Sequence, residues 1–264
     1  MSEHGFLPDV GCHLVEVAAD EGITIRLIGG VAIWLHSSEE ARRIFGRDYP
    51  DLDFVGHERE SRRLRKFLEE QGYVGDKLFN AMHGAQRLLY RHPEQDYQID
   101  IFLDKFNMSH NLDLSGRLDV ESPTLPAAEL LLTKMQIVEI NQKDVSDMIM
   151  LLWSHHLGDE DGPGELNIEQ VAKLCAADWG LYTTVSDNLI EVRKLLPEVL
   201  AGAAGRDAVA GKMITDADVA GVLTGRIEFM LMRLESYPKS FAWKIRAVLG
   251  RRVRWYEVPE EVRR

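Results

Sequence analysis

Between Asp51 and Val55 the sequence reads Asp-Leu-Asp-Phe-Val, an alternation of acids with apolar residues that restricts the fold more than any other stretch. Successive side chains of a strand point to opposite faces, so a strand here turns Leu52 and Phe54 to the core and sets Asp51 and Asp53 together on the other face. Carboxylates about 7 Å apart on one rigid strand repel each other and resist desolvation unless cations join them. Such a pair can bridge two divalent cations, and metals about 3.5–4 Å apart bind the attacking and leaving oxygens of an in-line phosphoryl displacement.

Asp100 adds a third acid in the same kind of setting. It lies in Gln98-Ile99-Asp100-Ile101-Phe102-Leu103, where strand propensity and desolvation both disfavour a charge. Metal binding accounts for all three acids at once. The plainer alternative makes Asp51 a turn residue after Pro50 and the other two rim charges.

Gly29-Gly30 follows the apolar segment Ile23 to Ile28 and precedes Val-Ala-Ile-Trp-Leu, a strand, a glycine turn and a helix. Free N–H groups and the positive end of a helix in that position suit a phosphate, which glycine lets approach closely. A Gly-Gly pair is also often just a turn. Neither GxGxxG nor GxxxxGK[ST] occurs.

Lys134 falls within an apolar helix stripe, with Leu130, Leu131, Ile137 and Val138 as its neighbours one turn away. Its ammonium either snorkels to the surface or meets an anion. Asp144 and Asp147 on the next helix are one source of that anion, and a nucleotide phosphate is another. Arg47, four residues before Asp51, is either a surface arginine or a phosphate contact.

Strand patterns concentrate in the first half, at Ile23 to Ile28, Leu52 to Gly56, Gln86 to Tyr90 and Tyr97 to Leu103. A helix is expected from Glu60 to Gln71, with His36 to Pro50 forming a polar loop. From Pro126 the periodicity turns helical: one helix to Ile140, and a second carrying Val145, Met148, Ile149 and Leu152. The Gly- and Asp-rich segment Leu157 to Asn167 reads as a linker. Beyond it come helices at Ile168 to Ala177, Ser186 to Leu200, Asp216 to Leu234 and Phe241 to Leu249. The expected architecture is α+β, a mixed sheet flanked by helices over residues 1–157, followed by an all-helical region over 168–264.

Composition narrows the function classes. The chain has 264 residues, two cysteines and a net charge of −12. No apolar run approaches the roughly 20 residues that span a bilayer, and no signal peptide is evident, so a cytoplasmic protein without a membrane partner is expected. Cys12 and Cys175 read as buried, reduced thiols. The acidic total argues against broad affinity for nucleic acid. From Arg233 to Arg264, however, nine basic residues face four acidic ones, either a solvated helical surface or a docking face for a polyanion.

The order LIGGVAIWLH, RDYPDLDFV and QIDIFL resembles the nucleotidyltransferase superfamily with the DNA polymerase β-type fold. The following LLLTKMQIVEINQKDVSDM resembles its AbiEii-type branch, and the likeness spans about residues 23–155. The resemblance implies that Asp51, Asp53 and Asp100 hold two Mg²⁺ ions and that Gly29 and Gly30 cradle the triphosphate of an NTP such as ATP. It also implies that Lys134 contacts phosphate, with Asp144 and Asp147 orienting it or helping with the acceptor. The implied activity moves an NMP to an acceptor hydroxyl and releases pyrophosphate. The acceptor would be tRNA, a protein side chain or a small molecule, and a toxin-like member would have an antitoxin partner. The alternatives are an antibiotic-type small-molecule enzyme and a catalytically silent nucleotide sensor. The interval between Gly30 and Asp51 is longer than in minimal members, and the last hundred residues match no tail that names a substrate.

Overall fold

Alternating acids and apolar residues do become strands. The computed structural model describes residues 6–206 and 208–258. The first elements are α1 (Phe6–Asp20), β1 (Ile25–Ile28), α2 (Gly29–His36), α3 (Glu39–Phe45), β2 (Leu52–Gly56), α4 (Ser61–Glu70) and β3 (Val74–Gly75). Next come α5 (Lys77–His83), β4 (Arg87–Arg91), β5 (Gln98–Leu103), β6 (Lys105–Asn107) and β7 (Asn111–Asp113). They are followed by α6 (Ala127–Met135), α7 (Gln142–Ser154), β8 (His156–Gly158) and β9 (Glu165–Asn167). The chain continues through α8 (Ile168–Ala177), α9 (Trp179–Arg206), α10 (Ala208–Asp216), α11 (Val219–Ser236) and α12 (Phe241–Leu249). The class is α+β, a mixed sheet flanked by helices and then a helical C-terminal region, as the sequence pattern requires.

Contacts divide the chain into two units. The first comprises the chain up to Leu35, Asp48–Asn107 and Asn111–Pro126; the second comprises His36–Arg47, Met108–His110 and the chain from Ala127.

The first unit is built on a five-stranded sheet in the order β1-β2-β5-β4-β3. Only β2 and β5 run parallel; the other pairs are antiparallel. Leu52, Phe54, Ile99 and Ile101 share one face and are fully buried. The α1 helix covers that face at close range, because Gly11 meets Leu27 and Leu52 where any side chain would crowd them. Leu64 of α4 comes in over Ile25 and Gly56 on the same side. Beyond β1, Leu27 exchanges hydrogen bonds with Pro123 and Leu125 of the segment before α6.

In the second unit α6 and α7 pack with α8, α9 and α11. Several elements differ from the sequence expectation: α9 runs from Trp179 to Arg206 rather than from Ser186 to Leu200, α10 is not among the expected helices, and α11 begins at Val219 rather than Asp216. The supposed polar loop contains α3, capped by the Ser38 hydroxyl accepting from Ala41 N, with Ala41, Ile44 and Phe45 buried. Four charged residues out of seven hide that stripe in the sequence. The α6 helix stops at Met135 rather than Ile140, because Asn188 Nδ2 donates to the Met135 and Ile137 carbonyls at 2.8 and 2.7 Å. This satisfies carbonyls that a longer helix would have bonded internally. The linker holds the short parallel pair β8–β9. Cys175 is buried as expected, whereas Cys12 is partly exposed. The last two basic residues counted above, Arg263 and Arg264, lie outside the described residues, as do Glu260 and Glu261.

Phe54→Ala removes a fully buried ring from a central strand. It is expected to cost about 3–5 kcal/mol in urea unfolding followed by tryptophan fluorescence and circular dichroism. A loss below about 1 kcal/mol would contradict this packing.

Candidate active site

Register brings two of the sequence-identified acids together. In the parallel β2–β5 pair, Asp53 stands directly opposite Asp100. Paired positions on neighbouring strands, about 4.8 Å apart, direct their side chains to the same face. Asp51 lies one residue before β2 rather than within it, and is half-buried like Asp53. Its negative charge acts on Asp100, so the three acids form one electrostatic group.

Gly29 is held to glycine twice over. It opens α2 directly after β1, whose last residue, Ile28, pairs with Asp53. Its φ of +68° disfavours any residue with a Cβ, and a Cβ there would lie 2.1 Å from Asp53 Oδ2. The first residue of a helix therefore rests against this carboxylate, where free N–H groups and the positive helix end favour negative charge. Gly30, half-buried, follows in the same first turn.

The sequence reading missed Arg87. From β4 its Nε donates to Asp100 Oδ1 at 2.7 Å, and Nη2 donates to Oδ2. Burial pushes the Asp100 carboxyl above the usual carboxylate range; Arg87 pulls it back only in part, and Asp51 adds to the rise. Burial alone would lower the pKa of the Arg87 guanidinium, but Asp100 and then Asp53 outweigh it and hold it raised.

The donor set suits a hard divalent cation, which takes carboxylate oxygens rather than sulfur or imidazole. Among the described residues, no group of three or more His, Cys, Asp or Glu side chains is gathered in a chelating arrangement. Asp100 is engaged with Arg87.

The second unit unites the remaining sequence candidates. Lys134 Nζ lies 3.0 Å from Asp144 Oδ1 and 2.9 Å from Asp147 Oδ2. Arg47 Nε and Nη2 donate to Asp147 Oδ1 and Oδ2 at 3.0 and 2.7 Å. Lys134 thus meets an anion rather than snorkelling, and Arg47 is a half-buried ion-pair partner rather than a surface group. Asp144 also closes a capping box with Asn141 at the start of α7, which fixes its carboxylate. Burial would lower the Lys134 pKa, but Asp147 and Asp144 more than offset it, so the ammonium's pKa is raised.

Several basic residues near the C-terminus have partners within the chain. Arg246 donates to the Gly250 and Val253 carbonyls, and Arg251 to Asp187 at 2.7 Å. Arg246 also stacks on Trp179, and Arg251 on Trp255. No helix among the described residues is long and apolar enough to cross a membrane.

No family model matches the chain, and no curated protein matches it. Among solved structures, the lincosamide antibiotic adenylyltransferase LnuA in its lincomycin-bound form is 16% identical with a TM-score of 0.36, covering 53% of this chain and 92% of its own. A candidate nucleotidyltransferase from H. pylori is 13% identical with a TM-score of 0.42, covering 89% of this chain and 98% of its own. JHP933 from Helicobacter pylori is 13% identical with a TM-score of 0.41, covering 95% and 100%. Similarities of this size assign neither family nor activity.

Lys134→Met leaves buried carboxylates short of a cation and is expected to cost about 3–5 kcal/mol. A lysine whose pKa rises on folding contributes stability that is fully present below about pH 10.4 and is lost as pH climbs through the folded value. The stability gap between wild type and variant should therefore stay constant through neutral pH and close only in strong alkali. A gap that closes between pH 6 and 8 would contradict the assignment.

Proposed function

We propose that this chain is a divalent-cation-dependent nucleotidyltransferase that moves an NMP from an NTP to an acceptor hydroxyl. The observation that carries the reading is the register setting Asp53 beside Asp100, with Gly29 pressed against Asp53. Asp51, Asp53 and Asp100 are the groups that would hold Mg²⁺, which when bound offsets charge on the phosphate oxygens. The start of α2 at Gly29 and Gly30 offers N–H donors to the triphosphate. The acceptor oxygen forms a bond to the α-phosphorus as the bond to pyrophosphate breaks. The acceptor proton passes to one of the three carboxylates. In the second unit, Lys134 and Arg47, held by Asp144 and Asp147, are proposed as a phosphate-binding pair.

The acceptor is a hydroxyl on RNA, on a protein or on a small molecule. An RNA acceptor would bring with it a toxin-like role opposed by an antitoxin. A small acceptor would make the protein an antibiotic-type enzyme. Offering each NTP with Mg²⁺ alongside total RNA, total protein or a metabolite fraction separates these cases by which fraction supports pyrophosphate release.

Asp53→Asn is expected to keep its circular dichroism spectrum and lose about 10²–10³-fold in pyrophosphate release, the scale of one strong transition-state contact. Full activity in that variant would remove Asp53 from the site. NTP binding with no turnover against any fraction would favour the silent nucleotide sensor.

A further inference from the structure

Tyr90 of β4 pairs with Ile99, so its side chain lies on the face of the sheet opposite Asp53 and Asp100. The residue is 1% exposed, and among the described residues its hydroxyl has no hydrogen-bond partner. A buried phenol ordinarily finds one. Instead, Tyr90 lines a cavity of about 450 Å³, within the roughly 300–1,000 Å³ of small-molecule sites. The cavity lies among α4, β3, β4 and α5, and hydrogen bonds hold these elements together. Asn80 of α5 donates its amide to Leu89 O at 3.0 Å and accepts from Leu89 N at 2.8 Å. Arg65 Nη2 of α4 donates to Gly84 O, just beyond α5, at 2.6 Å. Gly75 stands directly opposite Tyr90 on β3, where a Cβ would crowd the ring at 3.2 Å.

The lining sets the chemistry of the ligand. Tyr73, Val74 and Ala81 give the cavity apolar wall. Arg65 and Lys77 line it with a single acid, Glu69, which leaves an excess of positive charge in a chain whose total is −12. Burial and then Glu69 push the Tyr90 phenol up, with Arg65 opposing, so at neutral pH it keeps its proton and can donate. We infer that this cavity binds a small organic oxyanion, an apolar body with a carboxylate or phosphate head that accepts from Tyr90 Oη and pairs with Lys77 and Arg65. It is a second site, on the far face of the sheet from the acids, and it holds whatever reaction those acids carry.

The test is direct binding to the full chain. Isothermal titration calorimetry with 2-naphthoate, 2-naphthyl phosphate and the neutral 2-naphthamide is run in EDTA, so that no divalent ion recruits an anion to the carboxylate face. At least one of the two anions is expected to bind, about tenfold or more tighter than the amide, the scale of one charge-assisted hydrogen bond. The anion that binds identifies the head. Tyr90→Phe, which removes only the hydroxyl, and Lys77→Gln, at an exposed position, are each expected to weaken that anion about tenfold. Glu69→Gln, which removes a like charge, is expected to tighten it. Failure of both anions to bind, an amide that binds as tightly, or unchanged affinity in a folded Tyr90→Phe would overturn the inference. Should Tyr90→Phe fail to fold, Lys77→Gln decides, unchanged affinity there counting against the site.

Discussion

The site depends on the parallel pairing of β2 with β5. That ladder places Asp53 opposite Asp100 and turns Leu52, Phe54, Ile99 and Ile101 to the buried face. A slip of one residue would exchange the faces, burying acids in the core and exposing the apolar set. Burial of one face therefore fixes the register, and the register gathers the charges on the other. Folding energy and site geometry are two consequences of one constraint, and Gly29 tightens it by admitting Asp53 against the start of α2.

Each unit handles its buried charges in the same way. Asp100 carries a forked arginine, and Asp147, fully buried, carries both Arg47 and Lys134. A buried charge without a partner costs several kcal/mol, and a paired one with satisfied hydrogen bonds roughly breaks even. These pairs are accordingly better understood as fixing positions than as adding stability. Asp144 shows this most directly, since one oxygen caps α7 through Asn141 and the other takes the Lys134 ammonium.

Much of this was legible in the sequence because it depends on local pattern. Asp-Leu-Asp-Phe-Val and Gln-Ile-Asp-Ile-Phe-Leu announce strands with acids on one face, and Gly29 announces a turn into a helix. Lys134 stood out because an ammonium among Leu130, Leu131, Ile137 and Val138 either snorkels to the surface or meets an anion, and the structure supplies two anions. What stayed hidden depends on which strand lies beside which. Arg87 in Arg-Leu-Leu-Tyr-Arg looks like any strand-edge arginine until β4 pairs antiparallel with β5 and brings it diagonal to Asp100. Arg47 likewise gave no sign of its bond to Asp147, a residue distant in sequence. The end of α6 was unreadable for the same reason, because Asn188 on α9 takes its carbonyls.

The central claim is that the carboxylate face transfers a nucleotidyl group rather than a phosphoryl group, and the position of a radiolabel decides it most directly. Cell extract would be incubated with the protein and either α- or γ-³²P-labelled NTP, and label bound to macromolecules and metabolites then counted. The account predicts transfer of α-label alone, by wild type and not by Asp53→Asn. Transfer of γ-label, or α-label transfer that persists in Asp53→Asn, would contradict it.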